Sequence, residues 1–156
     1  MDRAFFIGSW LLALPASAVA QCPVTLPSSS PVSVPSDEPA NSYAWYGSEA
    51  LAVRLRSDGV WRGMGPEHHY RDKLWFWRRG YSPREEPAPR LTIDGLKLGD
   101  AKPDRLHIAE ATNAFGPGWA RMLTGMEFPS PGCWQVAVTY EYLEIRQKLT
   151  FVVDVD

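Results

Sequence analysis

The densest group of metal-binding side-chain types is a short run near the middle of the chain. Glu67, His68, His69 and Asp72 lie close together, and Met64 precedes them. Imidazole nitrogens combined with carboxylate or thioether groups are ligands for zinc or copper. Adjacent histidines on a strand point to opposite faces, however, and no second ligand cluster accompanies them. The pattern therefore makes His68 and His69 weak metal candidates, favours a solvated polar loop, and predicts no cofactor.

Motifs for hydrolysis are fewer still. Neither a G-x-S-x-G nor an H-E-x-x-H motif occurs, and Glu85 and Glu86 are adjacent in a loop bounded by prolines. Paired glycosidase carboxylates must face each other across a sugar at about 5–10 Å, and the sequence shows no such partner for these two. We interpret this loop as solvated and the protein as non-enzymatic, with no catalytic residue.

Tryptophan is the residue type that points to binding. Six tryptophans follow the first 20 residues, namely Trp45, Trp61, Trp75, Trp77, Trp119 and Trp134. Trp75 and Trp77 share one face of a predicted strand with Lys73 and Arg79, which is the composition of a face that meets solvent or a ligand. An indole platform suits carbohydrate, because the apolar face of a sugar ring stacks on it. The competing interpretation is that most of these rings are core residues.

The two cysteines indicate an oxidising compartment. Cys22 and Cys133 are the only cysteines in the chain, and the simplest arrangement pairs them in a disulfide. Lipidation of Cys22 is the alternative. It is disfavoured because Gln21 stands where a lipobox has a small residue.

The N-terminus predicts export. Residues 1–20 combine Arg3, an apolar run from Ala4 to Leu14, and small residues that end at Ala20, the pattern of a cleavable signal peptide. The apolar run is too short to span a bilayer, so we expect no stable membrane span after cleavage. The predicted location is the periplasm or the extracellular medium.

The remaining chain is predicted to contain one domain. Residues 21–156 are long enough for one compact domain with a modest core. Residues 21–42, rich in proline and serine, are predicted to form an extended lead-in, and residues 43–156 the domain. The net charge of −2 gives no indication of nucleic acid binding or of attachment to an anionic membrane.

Alternating apolar residues define the strands. Leu51, Val53 and Leu55 share one face of a first strand, and residues 57–59 supply a turn. Residues 73–77 are rich in aromatic residues that favour strands. Residues 91–98 are predicted to form a hairpin that turns at Asp94 and Gly95.

The most regular alternation lies at the C-terminal end. Trp134, Val136 and Val138 alternate with polar or small residues, and Phe151 and Val153 continue the pattern in a last strand. We expect Trp134 and Phe151 to pack between two sheets. Strands separated by turns, without long helices, favour an antiparallel sandwich.

Several segments carry a resemblance to a known group. The stretch FPSPGCWQVAV (128–138) followed by LTFVV (149–153) resembles the last hairpin of bacterial immunoglobulin-like sandwiches. WYGSEALAVRL (45–55), DGVW (58–61) and KLWFWR (73–78) are similar to segments of small exported bacterial proteins of unknown function. The resemblance implies a fold and an exported setting and no activity.

The sequence thus predicts an all-β protein with a single immunoglobulin-like antiparallel β-sandwich at 43–156. The expected role is a binding or structural module of the bacterial cell envelope, with an envelope protein or a glycan as partner. One alternative is a carbohydrate- or cell-wall-binding module that uses Trp75 and Trp77. The other is a periplasmic copper or zinc protein.

Overall fold

The computed structural model describes residues 21–26, 42–63, 70–100 and 106–156. These residues form ten β-strands and no helix, which confirms the predicted all-β class. The strands are β1 (Tyr43–Ser48), β2 (Leu51–Arg56), β3 (Val60–Trp61), β4 (Arg71–Trp77), β5 (Arg90–Lys97), β6 (His107–Ile108), β7 (Thr112–Gly116), β8 (Trp119–Glu127), β9 (Gly132–Tyr142) and β10 (Ile145–Val155).

The strands are divided between two sheets. A six-stranded sheet has the order β1-β2-β4-β8-β6, with β7 also paired to β8, and a four-stranded sheet has the order β3-β10-β9-β5. All pairings are antiparallel except that of β3 with β10, which is parallel. The prediction of an antiparallel arrangement therefore holds for every described pair but this one.

The core lies between the two sheets, because each sheet turns its alternate apolar side chains inward. From the six-stranded sheet come residues such as Val53, Phe76 and Met122, and from the four-stranded sheet Trp134 and Phe151. Trp134 is 0% exposed and Phe151 1% exposed, as their alternation predicted. Burying large side chains of this kind is the main source of stability in a domain of this size.

The predicted turn at Asp94 and Gly95 is wrong. Strand β5 runs through both residues and pairs with β9 from Arg90 opposite Glu141 onward. Gly95 serves a different purpose there, because a Cβ atom at this position would lie 2.5 Å from Leu106. Glycine thus permits a close tertiary approach within a strand, which a local turn signal cannot distinguish from a hairpin.

The N-terminal segment lies against the domain. Thr25 donates its backbone N–H to the carbonyl of Val152 at 2.8 Å, and its hydroxyl accepts the Val152 N–H at 2.9 Å. Residues 21–26 therefore follow strand β10. The sulfur atoms of Cys22 and Cys133 lie at disulfide-bonding distance, and their Cα atoms are 5.4 Å apart.

Candidate functional site

Trp75 and Trp77, the predicted ligand-contact residues, lie on the outer face of the six-stranded sheet. Because Leu74 and Phe76 of β4 point into the core, the residues between them alternate outward. Trp75 and Trp77 therefore lie on the side of this sheet that faces away from the core. Strand alternation alone places them there, as the sequence pattern predicted.

We call one group of side chains on this face the outer aromatic layer. Its members share the outer side of the sheet and contact one another through ring faces or edges, and they are Trp45, Trp75, Trp77, Trp119 and Arg121. The Arg121 guanidinium lies over the ring of Trp119 at 4.7 Å and over that of Trp45 at 5.4 Å. A cation held against indole faces is attracted by the ring quadrupole. Arg121 thus links rings from β1 and β8.

The two predicted contact residues differ in exposure within this layer. Trp77 is 9% exposed and packs with Ala52 and Trp45. Trp75 is only half-buried, and its ring meets that of Trp119 edge to face at 6.4 Å. Trp75 is therefore the ring of the pair that can contact a ligand, whereas Trp77 supports it from within the layer.

A groove of about 380 Å³ lies on the same face, lined by Lys73, two residues before Trp75 on β4, and by Leu123, which stands opposite Trp75 in the strand register. Arg71 and Lys73 of β4 form one wall, and Glu110 and Thr112 lie on the other side. Gly125 of β8 stands opposite Lys73 in the strand register and contributes no side chain. The groove is open because this glycine leaves the floor empty.

An interruption between β6 and β7 shapes the far side of the groove. Both strands pair with β8, and the residues between them form no regular ladder. Ala109 still donates its backbone N–H to the Gly125 carbonyl at 2.9 Å, and the Thr124 hydroxyl donates to the Ala109 carbonyl at 2.5 Å. These bonds fix the interruption, so the groove wall is part of the sheet and not a loose loop.

A second cluster of charged groups was missed by the sequence analysis. Glu86, expected in a solvated loop, is 3% exposed. The Tyr140 hydroxyl donates to Glu86 Oε2 at 2.6 Å, and Arg78 Nε donates to the Tyr140 oxygen at 2.7 Å. Arg78 also forms an ion pair with Glu86, with 3.4 Å between Nη2 and Oε2. A guanidinium and a phenol compensate Oε2 for its lost hydration, whereas Oε1 is buried with no hydrogen-bond partner among the described residues.

This buried cluster anchors the loop that follows β4. Asn113 of β7 donates its side-chain N–H to the carbonyls of Glu86 and Pro87, and Tyr81 donates its hydroxyl to the Asn113 side-chain oxygen. Burial, together with the hydrogen bond donated to Glu86, raises the pKa of Tyr140 above its usual range. Tyr140 therefore remains a neutral donor, and the cluster holds the loop in place.

The sequence offered one indirect signal for this cluster. Tyr140 belongs to the inward face of β9, where a tyrosine hydroxyl needs a polar partner. Which partner it has depends on the fold, because Arg78 and Glu86 are 62 and 54 positions away in the chain.

His68 and His69 lie outside the described residues, as do the predicted signal peptide and residues 27–41 of the lead-in. His107 lies exposed on β6. Within the described ranges, no three histidine, cysteine or acidic residues converge on one point.

Comparisons with family models, with curated proteins and with solved structures found no match. In the part of the chain that the structure describes, no helix has the length and apolar character needed to cross a membrane.

Proposed function

We propose that the protein is an exported, non-enzymatic binding module of the bacterial cell envelope that contacts a glycan through the outer aromatic layer. In this proposal Trp75 stacks on a sugar ring, and Trp77 with Arg121 holds the platform rigid. The domain is an immunoglobulin-like sandwich, and residues 1–20 are its signal peptide.

The main support for glycan binding is the position of Trp75. Its indole is half-buried on the outside of a sheet, in edge contact with Trp119, although a tryptophan in so small a domain is ordinarily a core residue. Aromatic rings held rigidly at a surface supply contact area at little cost in conformational entropy. Trp75 is oriented by its neighbours before any ligand arrives, which favours binding.

The cysteine pair supports the exported setting. Cys22 and Cys133 lie at disulfide-bonding distance, and disulfides persist mainly in oxidising compartments. Residue 22 also follows the predicted cleavage site closely, so the bridge would remain in the mature chain. Mass spectrometry of the unreduced protein purified from its native host is expected to show the cross-linked peptide and no lipid on Cys22.

The test of the proposed function is a sedimentation assay with insoluble cell-wall polysaccharides, both neutral and acidic. The wild type is expected to co-sediment with at least one of them, and Trp75→Ala is expected to reduce binding about tenfold or more, since truncating a central tryptophan contact costs about 2 kcal/mol or more. Phe115→Ala is the matched control, because Phe115 is 70% exposed on β7 and contributes nothing to the outer aromatic layer.

Two results would contradict the proposal. One is that no polysaccharide retains the wild-type protein. The other is that Trp75→Ala and Phe115→Ala bind as the wild type does, which would exclude the outer aromatic layer as the contact surface.

A further inference from the structure

The outer face of the six-stranded sheet has a charge that contrasts with that of the whole chain. The chain has a net charge of −2. On the six-stranded sheet, by contrast, the outward positions of β2, β4 and β8 carry the cations Arg54, Arg56, Arg71, Lys73 and Arg121. Their acidic counterpart on these strands is Glu127, opposite Arg71. This face therefore has an excess of positive charge on a protein that is acidic as a whole.

Two of these cations are available to a ligand at the groove. Arg54 lies over the Tyr43 ring, Arg56 is paired with Asp58, and Arg121 is 4% exposed within the outer aromatic layer. Arg71 and Lys73 are exposed and line the groove. Among the described residues, neither makes an ion pair within 4.0 Å. Their charges are thus directed to the groove and the solvent.

The spacing places a cation beside the stacking ring. Lys73 and Trp75 are alternate residues of one strand, so their Cα atoms are separated by about 6.4–6.8 Å on the same face. A sugar ring on the Trp75 indole would place a substituent over the groove, within reach of the Lys73 ammonium and the Arg71 guanidinium. Guanidinium and ammonium groups bind carboxylates through charge-assisted hydrogen bonds.

We infer that the ligand is a carboxylate-bearing glycan, with its ring on Trp75 and its carboxylate held by Arg71 and Lys73 in the groove over Gly125. This inference rests on the proposed function and adds the chemical class of the sugar. Uronic acids and lactyl-substituted amino sugars both carry the required group.

Two acids, Asp72 and Glu110, also line the groove. Asp72 alternates toward the inner side of β4, and its Oδ1 accepts the Lys73 backbone N–H at 2.6 Å. Glu110 lies across the groove from Arg71 and Lys73, so the anion is confined to the β4 side of the outer face.

The experiment compares acidic glycans with a neutral counterpart of the same chain. Binding of the mature protein to polygalacturonate and to peptide-free peptidoglycan strands is measured by calorimetry, beside carboxyl-reduced polygalacturonate. At least one acidic glycan is expected to bind about tenfold or more tightly than the neutral polymer, because hydrogen bonds between ionised groups are roughly twice as strong as those between neutral ones. Added salt is expected to reduce this difference.

Variants that remove the two groove cations test whether the preference for acidic glycan arises in the groove. The double variant Arg71→Gln with Lys73→Gln is expected to lose the preference for the acidic glycan and to retain its melting temperature, since both side chains are exposed. Lys148→Gln is the matched control, because Lys148 is exposed on β10 of the other sheet. Its binding is expected to equal that of the wild type.

The outcomes separate this inference from the proposed function. Equal binding of acidic and neutral polymers, with loss in Trp75→Ala, would overturn the inference and leave glycan binding intact. The inference would also be overturned if the double variant still bound the acidic glycan more tightly than the neutral polymer. Absence of binding to all three glycans would overturn both. Binding to one acidic glycan only would support the inference and identify the source of the carboxylate.

A substitution that fills the groove gives an independent test. A Cβ atom at Gly125 would meet the Ala109 Cβ at 3.4 Å, and the backbone there is not in the left-handed region, so Gly125→Thr fits the strand. We expect this variant to melt as the wild type does and to lose about tenfold or more in affinity for the acidic glycan. Unchanged affinity would show that the carboxylate does not occupy the groove and would overturn the inference.

Discussion

The inner core and the outer aromatic layer both use tryptophan, but they hold it in different ways. In the core, Trp134 donates its indole N–H to the Ser130 carbonyl at 3.0 Å, and its ring meets Phe128 at 5.3 Å. In the outer layer, rings from β1 and β8 enclose the guanidinium of Arg121. A second sheet covers the first group, whereas a cation and neighbouring rings cover the second. The outer layer can therefore stay ordered and still leave Trp75 accessible.

The largest effect is expected in the core. Trp134→Ala removes a fully buried ring from between the sheets, and such truncations cost about 3–5 kcal/mol. Urea unfolding of this variant is compared with that of Trp75→Ala, whose half-buried ring is expected to contribute below about 1.5 kcal/mol. Equal losses in the two variants would mean that the outer layer is as much a core as the interior.

Trp77→Ala is expected to have an intermediate effect. This ring is nearly covered, yet it packs against Ala52 and Trp45 on one side of a single sheet and not between two sheets. Its free energy of unfolding should fall by about 1.5–3 kcal/mol, the range for burying a large apolar side chain. A loss as large as that of Trp134→Ala in the same urea titration would remove the distinction between the two regions.

The buried cluster of Arg78, Tyr140 and Glu86 allows the cost of losing a buried hydrogen bond to be compared with the cost of losing a buried ring. Tyr140→Phe keeps the ring and removes the hydroxyl that joins Arg78 to Glu86, which is expected to cost about 1–2 kcal/mol in thermal and urea unfolding. Tyr142→Phe is the control. Its hydroxyl donates one exposed bond to the Glu85 carbonyl, so a change below about 0.5 kcal/mol is expected. Equal costs in both variants would refute a special role for the Tyr140 hydroxyl.

The smallest effect is expected at the turn between the two sheets. Burial acts to raise the pKa of Asp58, but hydrogen bonds from Arg62, the Val60 N–H and Arg56 outweigh it and lower the pKa to about 2. The ionised carboxylate therefore stabilises the fold above pH 3.8, and this contribution is lost as the pH falls toward 2. Across this pH window, the melting temperature of Asp58→Asn should change less with pH than that of the wild type. Asp94→Asn, at an exposed position of β5, should keep the wild-type profile.

Periodicity in the sequence predicted the features that depend on the strand alone. The alternation at Leu51, Val53 and Leu55 and the run from Trp134 to Val138 assigned both strands and their buried sides correctly. The same alternation placed Trp75 and Trp77 together on one face. These predictions needed no knowledge of the partner strands.

Features that depend on a distant partner could not be predicted. Gly95 resembles a turn residue until Leu106 is found against it, and Glu86 resembles a solvated acid until Arg78 and Tyr140 surround it. The burial of Trp77 also depends on Ala52 and Trp45 from other strands. In each case the deciding contact joins residues of different structural elements, and one sequence contains no signal for such pairs.

The position of the cysteine pair also determines how the protein would carry a mechanical load. Cys22 and Cys133 enclose every strand of the six-stranded sheet within one covalent loop. Tension applied between the two ends of the chain would pass directly across the sulfur atoms and continue through residues 133–156. The backbone that carries the outer aromatic layer would bear none of it. Tension between the chain ends would thus extend β9 and β10 first and leave the six-stranded sheet folded.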